Sequence, residues 1–169
     1  MRHTFGFCKF APICKGMKKL LLVPLLASLS APVSAQPVTL LDQWNEDRSV
    51  VVDALDVDLE ALKWRARAVI VLANSPFDPL FIQQVDLLAR GAEELAQRDV
   101  IVITDTNPDT PSDLRLKLRP RAFMMVLIGK DGQIKLRKPA PWDVREISRS
   151  IDKTPLRQQE VRDRRLLNE

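Results

Sequence analysis

The chain has 169 residues, with 26 Lys and Arg against 22 Asp and Glu, a formal charge of +4, one His and two Cys. His3, Cys8 and Cys14 all lie near the start, so everything from residue 15 onward lacks thiols and imidazoles. That part of the chain cannot carry out disulfide exchange, peroxide reduction by a cysteine, or nucleophilic catalysis of the Cys-His or Ser-His kind.

Lys18-Lys19 is followed by the apolar run LLLVPLLASLSAPVSA. A charged start, a short apolar stretch and the Val33-Ser34-Ala35 end match a secretory signal cleaved after Ala35. The run is short and interrupted by Pro24 and Pro32, which makes a poor membrane span. The expectation is a signal peptide over 1–35, a mature chain starting at Gln36, and a periplasmic or secreted protein with no stable membrane span after cleavage. Met17 directly precedes the lysines, so residues 1–16 read as an upstream extension from a misplaced start codon. No cysteine stands at the cleavage position, which argues against a lipoprotein anchor; an uncleaved N-terminal anchor is the alternative.

Cleavage leaves 134 residues, enough for one domain with a real core. The leader holds Arg2, Lys9, Lys15, Lys18 and Lys19 and no acid, so 21 basic residues remain against 22 acidic ones. The positive charge therefore belongs to the leader and makes no case for nucleic-acid binding. Exported domains commonly carry disulfides; this one has to fold without them. Cys8 and Cys14 could act only in a retained N-terminus, and their spacing is not C-x-x-C.

Residues 36–66 form an N-terminal lead-in to a domain over 67–169. Leu40, Leu41 and Trp44 suit a short packed segment. Val50-Val51-Val52 is followed by Asp53, Asp56, Asp58 and Glu60. These acids lack the spacing and turn glycine of a calcium loop. They read as a solvated acidic loop running into a short helix near Leu59–Trp64.

Ala68–Ala73 is a continuous apolar run of strand length. Asp78 and Pro79 are placed to cap and begin a helix, which the periodicity extends from Leu80 to Gln97. Its apolar stripe is Phe81, Val85, Leu88, Ala92 and Leu95, widened by Ile82, Ala89 and Ala96. Val100–Thr104 is a second buried strand, so the unit is a right-handed parallel crossover. After a loop over 105–112, Ser112 or Asp113 caps a short helix through Leu118. Phe123–Ile128 and Ile134–Arg137 then read as a hairpin turning at Lys130-Asp131-Gly132, with Ile134 and Leu136 facing inward and Lys135 and Arg137 outward. Pro139 and Pro141 stop it. Val144, Ile147 and Ile151 mark a helix, and Thr154-Pro155 starts a final polar one. The order is β-α-β, hairpin, α, the minimal thioredoxin-like α/β arrangement of about four strands with helices on both faces.

The block from Leu127 to Arg162 carries a family resemblance. Leu127 to Gly132 (Leu-Ile-Gly-Lys-Asp-Gly), Lys135, Arg137, Ile151-Asp152, Pro155, Arg157 and Glu160 resemble the motif of DUF4174, a domain found in bacterial secreted proteins and in animal extracellular sushi-repeat and matrix proteins. Arg98-Asp99 also looks like the family, and the resemblance spans about Arg67 to Arg162. Thr154 and Leu156 depart from the motif, where methionines are usual. The resemblance implies a thioredoxin-like fold and no established activity. In redox-active thioredoxins C-x-x-C follows the first strand of the crossover; here that stretch reads Ser75-Pro76-Phe77-Asp78-Pro79. Pro120 stands several residues too early to equate with their cis-proline.

Arg137 and Arg157, with Lys135, are the candidate anion- or partner-binding residues, because a planar guanidinium grips oxyanions in two places at once. The competing reading, which the residues favour, has Arg137 and Arg157 pairing with Asp152 or Glu160 to pin the C-terminal segment to the sheet. Gly129, Lys130, Asp131, Gly132, Asp152, Pro155 and Glu160 form the structural part of the motif. Arg65, Arg67, Arg119 and Arg121 flank strand ends and could add to a basic patch, although the favoured reading has them solvated. Asp78 and Asp105 lie where open α/β sheets present a crevice, but read as a helix cap and a turn residue. No catalytic residue, metal ligand or cofactor site is assigned. The sequence therefore favours a non-catalytic binding module with an envelope or extracellular protein as partner, over an enzyme using carboxylates or arginines near the strand ends. Trp44, Trp64 and Trp142 fit a core or a site equally well.

Overall fold

The computed structural model describes residues 40–168; the signal sequence, its cleavage position, Cys8 and Cys14 lie outside the described residues. Arg67–Leu72 (β2) and Val100–Asp105 (β3) pair in parallel, with Ala68 opposite Ile101 and Leu72 opposite Asp105. Their apolar runs are buried almost throughout, as expected of strands covered on both faces.

The crossover passes through Pro79–Arg90 (α3) and Ala92–Ala96 (α4). Asp78 Oδ1 accepts the Leu80 amide at 2.8 Å and Pro79 opens the helix. The single helix expected to Gln97 is broken at Gly91. A Cβ there would lie 2.6 Å from Cβ, Cγ1 and Cγ2 of Val144, so only glycine leaves room for the Val144 side chain against this turn. The inward stripe also differs. Ile82 and Ala89 face solvent, while Gln84 is fully buried beside Leu88. Gln84 is satisfied there: its Nε2 donates to Trp142 O at 3.0 Å and its Oε1 accepts from Trp142 N at 2.7 Å. A glutamine used in this way docks the segment before the next helix as a strand partner would.

Met124–Ile128 (β4) runs antiparallel to β2, and Ile134–Lys138 (β5) antiparallel to β4. Gly132 takes φ 74° in the turn. Alternation fails at one point. Leu127 faces Leu136 but Ile128 faces Ile134, so Lys135 is an extra residue in a bulge. Ile134, expected inside, is 41% exposed.

A fifth strand, Val51–Asp53 (β1), pairs in parallel with β3 where an acidic loop was expected. The order is β1-β3-β2-β4-β5, a thioredoxin-like α/β fold with one strand more than the minimal set. Leu40–Glu46 (α1), a 3-10 turn at Ala54–Asp56 and Leu59–Leu62 (α2) surround that strand. The acids there are used locally: Asp53 accepts from Leu55 N and Asp58 from Glu60 N at 2.9 Å each, and Glu60 pairs with Lys63.

One core packs α1, α2 and Asp113–Leu118 (α5) on the face of Ile70, Ile103 and Val126. The other packs α3, α4 and Val144–Asp152 (α6) on the face of Val69, Met125 and Leu127, through Leu88, Leu95, Ile147 and Ile151. Burying each such side chain is worth about 1.5–3 kcal/mol. Pro155–Leu166 (α7) closes the described chain. No helix among the described residues is long and apolar enough to cross a membrane.

Candidate functional site

The sheet has two ends, and each carries a charged arrangement. At the C-terminal end of β2 and β3, Arg115 of α5 reaches under the loop. Its Nε donates to Asp105 Oδ1 at 2.9 Å, and its terminal nitrogens donate to Asp105 O at 2.9 Å, Asn74 Oδ1 at 3.3 Å and Ala73 O. Ser112 caps α5 by accepting from Arg115 N at 3.0 Å, and its hydroxyl donates to Asp105 Oδ2 at 2.5 Å. Asp105 is thus half of a buried ion pair, and its Oδ1 also accepts the Asn107 amide at 3.2 Å, the turn role that the sequence indicates. Burial opposes its charge, but the hydrogen bonds from Arg115 and Ser112 outweigh it and hold the carboxyl below its usual value. A carboxylate so engaged is a poor general base. Asp78 is a helix cap, as the sequence indicates. Arg115 escaped the sequence reading, although an arginine three residues after a capping serine could have signalled it.

The opposite end joins the N-termini of β2 and β3 to the hairpin turn and α7. Here the family motif comes together. Glu160 accepts from Arg67 at 3.0 Å on each oxygen, from Lys130 at 3.0 Å and from Arg157 at 3.3 Å. Lys130 also bonds Asp99 at 2.8 Å, and Arg48 reaches the same carboxylate at 3.3 Å. Arg98 grips Asp152 with two bonds, at 3.0 and 2.8 Å, and Arg157 Nε lies 3.6 Å from it. Five cations therefore share three carboxylates. For Asp99 and Glu160, burial works against the charge but the bonds from Lys130 and the neighbouring cations prevail. For Asp152 the Arg98 hydrogen bond dominates. All three sit below their usual values.

Arg157 thus pins α7 through Asp152 of α6 and the Gln97 carbonyl at 3.2 Å, and pairs with Glu160 within its own helix. Arg137 does not join it. Its guanidinium donates to Leu118 O at 2.9 Å and ties β5 to α5. Arg67, read as solvated, is 2% exposed, because Arg98 O at 2.7 Å and Glu160 hold it inside.

Beside this network opens a groove of about 420 Å³. Leu127, Ile151, Pro155 and Leu156 form its apolar part, and Lys130, Asp131 and Lys135 its rim. The bulge brings Lys135 to the groove, where its Nζ meets Asp131 Oδ2 at 2.5 Å. Burial of Asp131 is outweighed by this bond, and its carboxyl too lies low. Gly129 lies beneath the pair: a Cβ there would fall 2.5 Å from Asp131 Oδ1 and 2.7 Å from Lys135 Cε, so both side-chain ends would have to shift. Trp64 stands at the side, 67% exposed, at φ 64°, with its amide donating to Lys130 O at 2.7 Å. Of the three tryptophans, Trp44 is core and Trp142 lies under Lys138, whose Nζ is 4.2 Å from the ring centre. Among the described residues no cluster of three or more Asp, Glu, His or Cys could hold a metal ion.

A family model described as a domain of unknown function, DUF4174, matches residues 58–160. Among solved structures, a chloroplastic thioredoxin z is similar at 22% identity and TM-score 0.47, covering 62% of this chain and 96% of that one. Plasmodium yoelii Prx1a matches at 17% identity and TM-score 0.43, over 57% of this chain and 77% of that one. Thioredoxin peroxidase I of the same organism gives 17%, 0.43, 57% and 76%.

Proposed function

The chain belongs to the DUF4174 family, and we propose that it is an exported, non-catalytic binding module of the cell envelope whose groove beside Trp64 holds an apolar side chain of a partner protein. Export rests on the Lys18-Lys19, apolar run and Val33-Ser34-Ala35 pattern. The observation that carries the binding reading is Trp64 itself. A bulky side chain at a left-handed backbone position costs about 1–2 kcal/mol, and this one gains little burial in return. Strain held in an exposed aromatic at the side of a groove is what a ligand-contacting residue shows.

The groove's chemistry agrees. Its lysines and Arg67 already have carboxylate partners, so the unsatisfied surface left for a ligand is apolar. The motif residues Gly129, Lys130, Asp131 and Pro155 shape that surface, and the ion pairs behind them hold it rigid, which lowers the ordering cost of binding. The enzyme reading finds no comparable support: Asp105 is occupied by Arg115 and Ser112.

Two measurements test this. Intact mass of the envelope-fraction protein should begin at Gln36; a mass retaining Cys8 and Cys14 would sink the export half. A photo-crosslinking phenylalanine derivative at position 64, which keeps an aromatic ring there, should give a discrete adduct with an envelope protein in living cells. The same residue at Leu116, an exposed site on α5, should give none. Equal labelling at both positions, or none at 64, rejects the groove as the binding site.

A further inference from the structure

A second cleft, of about 420 Å³, lies at the other end of the sheet, beside the tip of β5. Leu80 and Met124 give it an apolar floor over the buried Phe123; its walls carry Arg119, Arg121, Arg137 and Lys138, with no acid among the lining residues. Among the described residues none of these four cations forms an ion pair. This is the reverse of the Trp64 groove, where the cations are matched by carboxylates. We propose that this cleft is a docking site for an acidic, extended segment of a partner protein that lays an apolar side chain on Leu80 and Met124 and pairs its backbone along the free edge of β5.

Charge complementarity selects the occupant. Arg137 is held by Leu118 O and Lys138 lies over Trp142, but none of the four charges is neutralised by an acid, and an anionic ligand relieves that excess. The floor is apolar, so the ligand needs an apolar group between its charges. β5 is the last strand of the sheet and pairs with β4 alone, which offers main-chain partners that an extended peptide uses. Nucleic acid fits poorly, because Phe123, the one aromatic ring lining the cleft, is 5% exposed and offers no stacking face. A second copy fits poorly too. Antiparallel pairing of two β5 edges would set Lys135, Arg137 and Lys138 of one chain against those of the other.

The test uses the full chain and a fluorescein-labelled peptide alternating glutamate and valine, read by anisotropy. Binding should be saturable and weaken as salt rises. Arg121→Glu, at an exposed position whose side chain makes no hydrogen bond within the described chain, should weaken it by roughly tenfold. Arg119→Gly removes a charge at a position already at φ 50° and should give a smaller loss in the same direction. Trp64→Ala should leave this binding unchanged, which separates the cleft from the groove. The proposal is overturned if the acidic peptide does not bind, if both arginine variants bind as the parent does, or if a lysine-valine peptide binds equally. It is also overturned if oligothymidylate or a phosphatidylglycerol vesicle, and not the peptide, binds in an Arg121-dependent way.

Discussion

The two buried charge arrangements solve opposite problems. Asp105, Ser112 and Arg115 are near neighbours in sequence and nearly sealed from water. They fix one loop and one short helix, and every oxygen of the Asp105 carboxylate is engaged. The Glu160 assembly joins Arg67, Asp99, Lys130 and Arg157 from far-apart segments and borders a groove. Burial with full local pairing makes a plug; shared carboxylates between distant elements make a clamp that positions a surface. The difference shows why charge alone does not mark a site: what matters is whether the charged groups leave an accessible face beside them.

The largest effect that would sharpen this contrast is Arg115→Ala. It strands the Asp105 carboxylate in the interior, and breaking a buried pair from one side costs about 3–5 kcal/mol. Urea unfolding should report that loss while the Trp64 crosslink persists in whatever fraction stays folded. Glu160→Gln comes next. It leaves Arg67, Lys130 and Arg157 facing a neutral acceptor, but these groups border solvent and can relax, so about 1–3 kcal/mol is expected. This variant should lose the crosslink at position 64; a stability loss with the crosslink intact would break the idea that the clamp shapes the groove.

Acid should act along the same line. Asp99, Asp152 and Glu160 have folded-state values below their unfolded ones. Their contribution is complete above the unfolded carboxylate range, about pH 4, and is lost as pH falls through the depressed folded values. Urea unfolding at pH 7 should therefore show higher stability than in acid, and Glu160→Gln should flatten that fall. The smallest effect has the opposite sign. Trp64→Asn suits the left-handed backbone and should stabilise the fold by about 0.5–1 kcal/mol, while abolishing partner capture. A loss of stability instead would mean that Trp64 serves packing.

Much of the fold was legible in the sequence because β2, β3 and β4 are unbroken apolar runs of strand length, and because Asp78-Pro79 is a clear cap; between Ser112 and Asp113 the structure selects Ser112. β1 was not, since three residues with one buried side chain, Val52, carry no period to read. Gln84 was invisible for a different reason. Its burial depends on Trp142, 58 positions away, turning its backbone toward it. The site divided in the same way. The motif named Lys130, Asp152, Arg157 and Glu160, which the structure brings together, but gave no hint that Arg67 lies buried among them. Nor could Arg137 be separated from Arg157: the two differ only in which segment the fold sets opposite each. Trp64 was undecidable because its exposure follows from a left-handed turn after α2 that no local residue announces.

The bond from Arg67 to Glu160 spans 93 positions, and that span has a consequence for biogenesis. A chain emerging from the ribosome or a translocation channel can close the β2-β3 crossover and the hairpin early. It cannot complete the clamp until Glu160 has arrived, and closing so long a loop comes late in folding. Until then Arg67 and Lys130 lack the carboxylate they share, and the groove beside Trp64 has no α7 to wall it. The surface proposed to hold a partner is thereby completed only at the end of synthesis, so a nascent or truncated chain would present the strands of this protein without it.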